Sequence, residues 1–155
     1  MVDWSAAEPS AGHIDCAGIH HLPMRVYYED TDAAGIVYYA NYLKFVERAR
    51  TDMMRLLGVT HSHMASRDGL SFVVRSCSVK YRKPARLDDS LDVRTRVERI
   101  RGPVLDVLQN VYRADDLLVS IDLRIACMNG EGRVQSLPAW INAAFAQITQ
   151  PQSAS

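Results

Sequence analysis

One run of helical period has to serve four runs of strand period, and that imbalance restricts the fold more than any other feature of this chain. Tyr42, Val46, Ala49, Met53 and Leu56 step by four, three, four and three residues, which puts them on one face of a helix. Lys44, Arg48, Thr51, Asp52 and Arg55 take the opposite face. The pattern predicts a helix of about twenty residues, roughly 30 Å long at 1.5 Å per residue. Gly58 is placed to stop it. From Ser71 onward the period changes to two. Phe72 to Tyr81 reads as a long strand, and Val104 to Tyr112 as another. Between them Leu91, Val93, Thr95 and Val97 alternate with Asp92, Arg94, Arg96 and Glu98. Later, Val119, Ile121, Leu123, Ile125 and Cys127 alternate with Ser120, Asp122, Arg124 and Ala126. One apolar and one wet face per strand is the pattern of an antiparallel sheet. Turn signals at Gly102-Pro103 and from Arg113 to Asp116 keep the connections short and favour a meander.

Ahead of the helix, Pro23 opens a first strand, with Met24, Val26 and Tyr28 on one face. After the last strand, Pro138 suits the first turn of a terminal helix, Ala139 to Ile148. The predicted order is strand, long helix, four strands, short helix. This is an α+β two-layer architecture in which a curved five-stranded antiparallel sheet wraps one helix. Residues 1–22 show no periodicity and are expected to be a mobile tail, with His20 and His21 as a solvated pair. Residues 23–150 are expected to form a single domain, since a chain of 155 residues suits one core.

Composition excludes several functions. Formal net charge is zero and the pI is near 7.0, which argues against nucleic-acid binding. The basic clusters at Lys80 to Lys83 and Arg94 to Arg101 read as exposed strand faces. Three cysteines, Cys16, Cys77 and Cys127, form no CxxC pair, which points to a reducing compartment. No signal peptide is visible at the N-terminus, and no apolar run approaches the roughly 18 residues of a membrane span. A cytoplasmic protein is expected. His61-Ser62-His63 would share a face in an extended segment, but no Cys stands nearby and Asp68 is the only acidic residue of the 59–69 connector. No metal site is expected.

The acidic turn from Glu29 to Gly35 is where chemistry is to be sought. Asp30 and Asp32 stand where the first strand hands over to the helix, whose N-terminus offers unpaired N–H groups and partial positive charge. One reading is a cap, with carboxylates serving the free N–H groups. A calcium loop fails, because Ala34 stands where an oxygen ligand belongs and Asn41 where the closing bidentate Glu belongs. The Asp-x-Asp of phosphoryl transfer follows a buried parallel strand, whereas this one carries Arg25 and Glu29. The remaining reading is acyl transfer. Free N–H groups at a helix start would polarise a thioester carbonyl and hold its oxyanion. A nearby carboxylate would attack the carbonyl or deprotonate a water. From the residues alone, capping and acyl transfer both stay open.

The run R-V-Y-Y-E-D-T-D-A-A-G-I-V-Y-Y-A-N-Y-L-K-F-V-E-R-A-R-T, Arg25 to Thr51, resembles the signature of hotdog-fold acyl-CoA thioesterases. It is most similar to the 4-hydroxybenzoyl-CoA thioesterase-like branch, and within it to the Tol–Pal-associated acyl-CoA thioesterases of bacteria. S-F-V-V-R-S-C-S-V-K-Y-R-K-P-A-R-L-D-D and L-R-I-A-C-M carry the resemblance over about Leu22 to Leu137. The resemblance implies a hotdog fold, with the catalytic carboxylate at Asp32 and a backbone N–H oxyanion donor at Tyr39. It implies that Asp30 orients the turn and that Tyr38 walls the pocket. Coenzyme A would be part of the substrate, so no cofactor is expected, and its phosphates would meet Arg101 and Arg124, with Arg82 and Lys83 behind. A homodimer or homotetramer is implied, with sheets continuing edge to edge and sites at the interface. A short-chain or aromatic acyl group is expected. The alternative is a non-catalytic module that holds acyl-CoA or an acyl-carrier protein. A dehydratase is disfavoured, because no His lies near the acidic turn. Glu47, well down the helix, is expected to form a structural ion pair. Many members of the Tol–Pal-associated branch carry His where Tyr39 stands; a backbone donor survives that change and an imidazole role does not.

Overall fold

The computed structural model describes residues 12–149. β1 (His13–Ile14) and β2 (His20–Arg25) precede α1 (Asn41–Leu56) and α2 (His61–Asp68). β3 (Leu70–Tyr81), β4 (Ser90–Arg101), β5 (Val104–Arg113) and β6 (Asp116–Asn129) then follow one another into α3 (Ala139–Thr149). The strands form one antiparallel sheet in the order β1-β2-β4-β5-β6-β3. The expected α+β hotdog architecture is present, with six strands in place of five. Among the described residues, no helix is long and apolar enough to cross a membrane.

α1 packs on β2 and β4 and buries Tyr42, Phe45, Val46, Ala49, Met53 and Met54. The sheet answers with the inward residues of its alternation: Leu91, Val93 and Val97 of β4, Leu105, Val107 and Val111 of β5, and Ile121, Leu123 and Ile125 of β6. Each large apolar side chain so buried contributes roughly 1.5–3 kcal/mol of transfer free energy. Between α1 and the sheet the polar pair Gln109 and Thr95 is fully buried. Gln109 accepts from Arg50 Nη1 at 2.9 Å and donates to the Val46 carbonyl and to Thr95 Oγ1, at 2.9 and 2.8 Å.

Part of the expected tail belongs to the sheet. β1 occupies His13–Ile14, and β2 begins at His20, three residues before Pro23. The cause is a long-range pairing with no periodic signature. His20 is fully buried, and its Nε2–H donates to Asp52 Oδ2 on α1 at 2.6 Å. Gly12 N–H donates to the same oxygen at 3.0 Å. His21 is clasped on both ring nitrogens, by Asp92 and by Asp15, each at 2.9 Å, and stacks on His13. Residues 1–11 of the expected tail lie outside the described residues.

The 59–69 connector is also more ordered than its sequence suggests. Thr60 caps α2 by accepting from His63 N–H, and Gly69 ends it at φ 65°. On a helix, positions two apart do not face each other. His63 lies against Trp140, while His61 faces Thr51.

Candidate active site

β2 ends beside the start of β4, where Arg25 pairs with Ser90 and Val26 N–H donates to Asp89 O. The chain then makes a tight 3-10 turn over Tyr28–Asp30, in which Asp30 Oδ2 accepts the Tyr27 N–H at 2.9 Å. The Asp30 carbonyl accepts twice, from Tyr38 N–H at 3.0 Å and from Asn41 Nδ2 at 2.8 Å. Asp30 thus ties the start of the motif to the start of α1. Between these ties Thr31 bridges Val37 and closes a small hairpin. Gly35, at φ 78°, supplies the left-handed residue that its tip requires.

Asp32 opens that tip. Its N–H donates to Ile36 O at 2.9 Å, and its carbonyl accepts from Gly35 N–H at 3.0 Å. Its Oδ1 accepts from Ala34 N–H at 2.9 Å and from Ile36 N–H at 3.4 Å. Asp32 is exposed, and among the described residues Oδ2 takes no hydrogen bond. The turn therefore fixes one oxygen and leaves the other open to solvent. The sequence placed both aspartates directly at the helix start. Instead, the 31–37 hairpin intervenes and α1 begins at Asn41.

Tyr39 stands two residues before α1. Asn41 N–H is taken by Tyr38 O at 2.8 Å and Leu43 N–H by Ala40 O at 3.2 Å. The N–H groups of Tyr39 and Ala40 meet no acceptor among the described residues. Such free donors at a helix entry suit developing negative charge. The Tyr39 carbonyl accepts from the Tyr81 hydroxyl at 2.9 Å. Tyr38, half exposed, lies tilted against the Tyr39 ring with centroids 4.8 Å apart, and the adjacent Tyr39 phenol pushes the Tyr38 phenol above its ordinary pKa.

The cations separate into two sets. A groove of about 350 Å³ is lined by Ile36, Tyr39, Tyr42, Tyr81, Arg82 and Lys83. Arg82 and Lys83 are therefore beside the turn, with Lys83 Nζ 3.2 Å from Asp116. Arg124 and Arg101 are not in this groove. Arg124 lies mid-sheet, opposite Ser76 in register, and its Nε donates to Asp106 at 3.0 Å. Arg101 closes β4, roughly 35 Å of strand from Ser90 at about 3.3 Å per residue. Strand length thus carries it to the far end of the same protomer. Glu47 forms no salt bridge among the described residues. It borders an apolar cavity of about 290 Å³ together with Arg50, Met53, Phe72, Leu105 and Phe145. Two residues of the site escaped sequence reasoning. Asn41 was visible inside Y-A-N-Y, and Tyr81 as the last residue of a strand, but nothing local shows which carbonyls they reach.

The family model of the thioesterase-like superfamily matches residues 26–145, which include the whole hairpin and α1. The acyl-CoA thioesterase YbgC of Haemophilus influenzae is 40% identical over 125 residues, covering 80% of this chain and 92% of that protein. The acyl-CoA thioester hydrolase YbgC of Escherichia coli is 40% identical over 131 residues, covering 81% and 94%. The crystal structure of a probable thioesterase from Bartonella henselae superposes with a TM-score of 0.73 at 35% identity, covering 77% of this chain and 99% of that one. A 1,4-dihydroxy-2-naphthoyl-CoA thioesterase from Synechocystis, at 20% identity and a TM-score of 0.78, shares the fold.

Proposed function

The chain belongs to the thioesterase-like superfamily and is a thioester hydrolase, and on that premise we propose that it cleaves short-chain or aromatic acyl-coenzyme A with Asp32 as its carboxylate. The observation that carries the proposal is the Asp32 side chain: one oxygen held by its own turn, the other free. Asp32 Oδ2 either takes the proton of a water that attacks the thioester carbon or attacks that carbon itself. In both routes the carbonyl oxygen becomes an oxyanion, received by the Tyr39 N–H. Removal of one such donor typically costs about 3 kcal/mol of transition-state stabilisation. Collapse breaks the C–S bond, and coenzyme A leaves as a thiolate. A thiolate is a far better leaving group than an alkoxide or amide, so it needs no general acid to depart. In the second route, water then hydrolyses the acyl–Asp32 anhydride and restores the carboxylate.

The groove beside the turn suits the coenzyme, with Arg82 and Lys83 on its rim for phosphate. The reading as a homodimer or homotetramer is supported by β3. It is one edge of the sheet, 12 residues long, with Val73 and Val74 42% and 43% exposed. A long edge with exposed apolar residues calls for a partner strand. A second copy paired antiparallel about the middle of β3 would set the Leu70 end of one strand beside the Tyr81 end of the other. It would also carry Arg101 and the cavity at Phe72 toward Asp32 of the other copy. That cavity is then the acyl pocket. The free cysteines Cys16, Cys77 and Cys127 support a cytoplasmic setting.

The test is thiol release from acetyl-, hexanoyl-, palmitoyl- and benzoyl-coenzyme A. The short-chain and aromatic thioesters are expected to turn over at least about tenfold faster than the long-chain one, tenfold being about 1.4 kcal/mol of barrier. A palmitoyl preference overturns the assigned specificity. No release from any member of the panel overturns the reaction.

A further inference from the structure

The segment following β3 holds the Asp32 hairpin from outside. Ala85 O accepts Val37 N–H at 2.9 Å, Leu87 N–H reaches Gly35 O at 3.3 Å, and Arg86 bridges Ile36. Ala85 N–H also donates to the buried Tyr42 hydroxyl at 3.1 Å. These contacts fix the hairpin and the first turn of α1. The peptide between them, Tyr39–Ala40, is held differently. Among the described residues, its carbonyl has one partner, the hydroxyl of Tyr81.

Tyr81 is well placed for that task. It is the last residue of β3, in register with Val119, so the sheet fixes its backbone. Its ring meets Tyr39 edge-on at 6.4 Å and Tyr42 tilted at 5.8 Å, so two aromatic neighbours fix its direction. Burial and the adjacent Tyr39 hydroxyl push its pKa above that of an ordinary tyrosine, so it keeps the proton it donates.

We propose that Tyr81 is a positioning residue for the oxyanion site, locking the Tyr39–Ala40 peptide so that its own N–H, that of Ala40, and the neighbouring Tyr39 N–H stay aimed at the thioester. Two physical effects support this. A peptide whose carbonyl is held cannot rotate its N–H, here that of Ala40, away as charge develops, and it restrains the Tyr39 N–H through their shared Cα; preorganised donors stabilise that charge without reorganising. A hydrogen bond accepted by a peptide carbonyl also polarises the N–H of the same peptide, here that of Ala40. Tyr81 touches neither the thioester nor the attacking water in this role. The proposal rests on the thioesterase reading above, and it links the exposed sheet edge to the catalytic turn.

The experiment compares Tyr81→Phe, Asp32→Asn and the wild-type chain, using a thioester that the wild type turns over. Tyr81→Phe keeps the ring and removes one hydroxyl. Its kcat is expected to fall about tenfold, less than for loss of a donor itself, with KM within about twofold and the thermal midpoint unchanged. Amide hydrogen exchange of the peptide spanning residues 36–43 is expected to quicken in Tyr81→Phe and not in Asp32→Asn. An unchanged kcat, or a rise in KM with kcat retained, overturns the positioning role. Unchanged exchange over 36–43 overturns it even for a protein without turnover. Loss of rate in Tyr81→Phe with no loss in Asp32→Asn removes the Asp32 mechanism and leaves the positioning role standing.

Discussion

Replacing Gln109 with Leu should unseat α1 from the sheet more than any exposed substitution could. The carboxamide is fully buried and serves three partners at once: Arg50, the Val46 carbonyl and Thr95. Leucine matches its volume but none of these bonds. The Val46 carbonyl keeps the α1 ladder. The half-buried Arg50 cation loses a charge-assisted bond, worth about 2 kcal/mol, and the buried Thr95 hydroxyl loses a neutral one, worth about 1 kcal/mol. The expected loss is therefore about 3 kcal/mol. For a chain of this size that lowers the thermal midpoint by roughly 6–12 °C. The assay is circular dichroism melting at matched protein concentration, since assembly shifts the midpoint by mass action. A cycle with Arg50→Met isolates the pair and should give a coupling of about 1–2 kcal/mol. A midpoint within about 2 °C of the wild type, or additive single effects, would show that Gln109 does not tie α1 to the sheet.

Two further outcomes follow from the N-terminal edge of the sheet. Burial lowers the His21 pKa, but the hydrogen bonds to Asp92 and Asp15 outweigh it and hold it above 6.5; Arg94 braces Asp92 and His13 stacks on the ring. A folded pKa above the unfolded one means stability that is full below about pH 6.5 and lost as the pH rises through the folded value. The midpoint difference between wild type and His21→Gln should thus be large at pH 6 and shrink by pH 8.5; a difference that grows with pH would contradict the clasp. At Gly12 an added Cβ would clash with the His21 carbonyl and would lie 2.6 Å from Asp52 Oδ2. Gly12→Ala should therefore loosen β1 and speed proteolysis ahead of His20, at a cost of about 1–3 kcal/mol, and an unchanged digestion pattern would contradict that crowding.

What could be read from the residues was what repeats along the chain. The alternation of Leu91, Val93, Thr95 and Val97 names the inward face of β4, and the stripe from Tyr42 to Met53 names that of α1. What could not be read depends on partners far away in sequence. His20 looks like a solvated linker residue until Asp52 is placed beside it across 32 positions. α2 buries Met64 alone, and one buried residue makes no period. At the site, Asp32 and Gly35 announce a turn, but the Thr31–Val37 bridge that lifts it away from the helix is a pairing, not a motif. Arg82 and Lys83 fall beside the turn because β3 ends there. Arg101 falls far away because β4 is 12 residues long.

The Asp32 carboxylate is the centre of the account, and Asp32→Asn tests it most directly. The amide oxygen of Asn can still accept from the Ala34 and Ile36 N–H groups, so the turn and the thermal midpoint should be retained. The measurement is kcat/KM for thiol release from the preferred acyl-coenzyme A, with the fold confirmed by circular dichroism. Loss of a positioned base or nucleophile predicts a fall of about 10³-fold. A folded variant with kcat/KM within about twofold of the wild type would contradict the account.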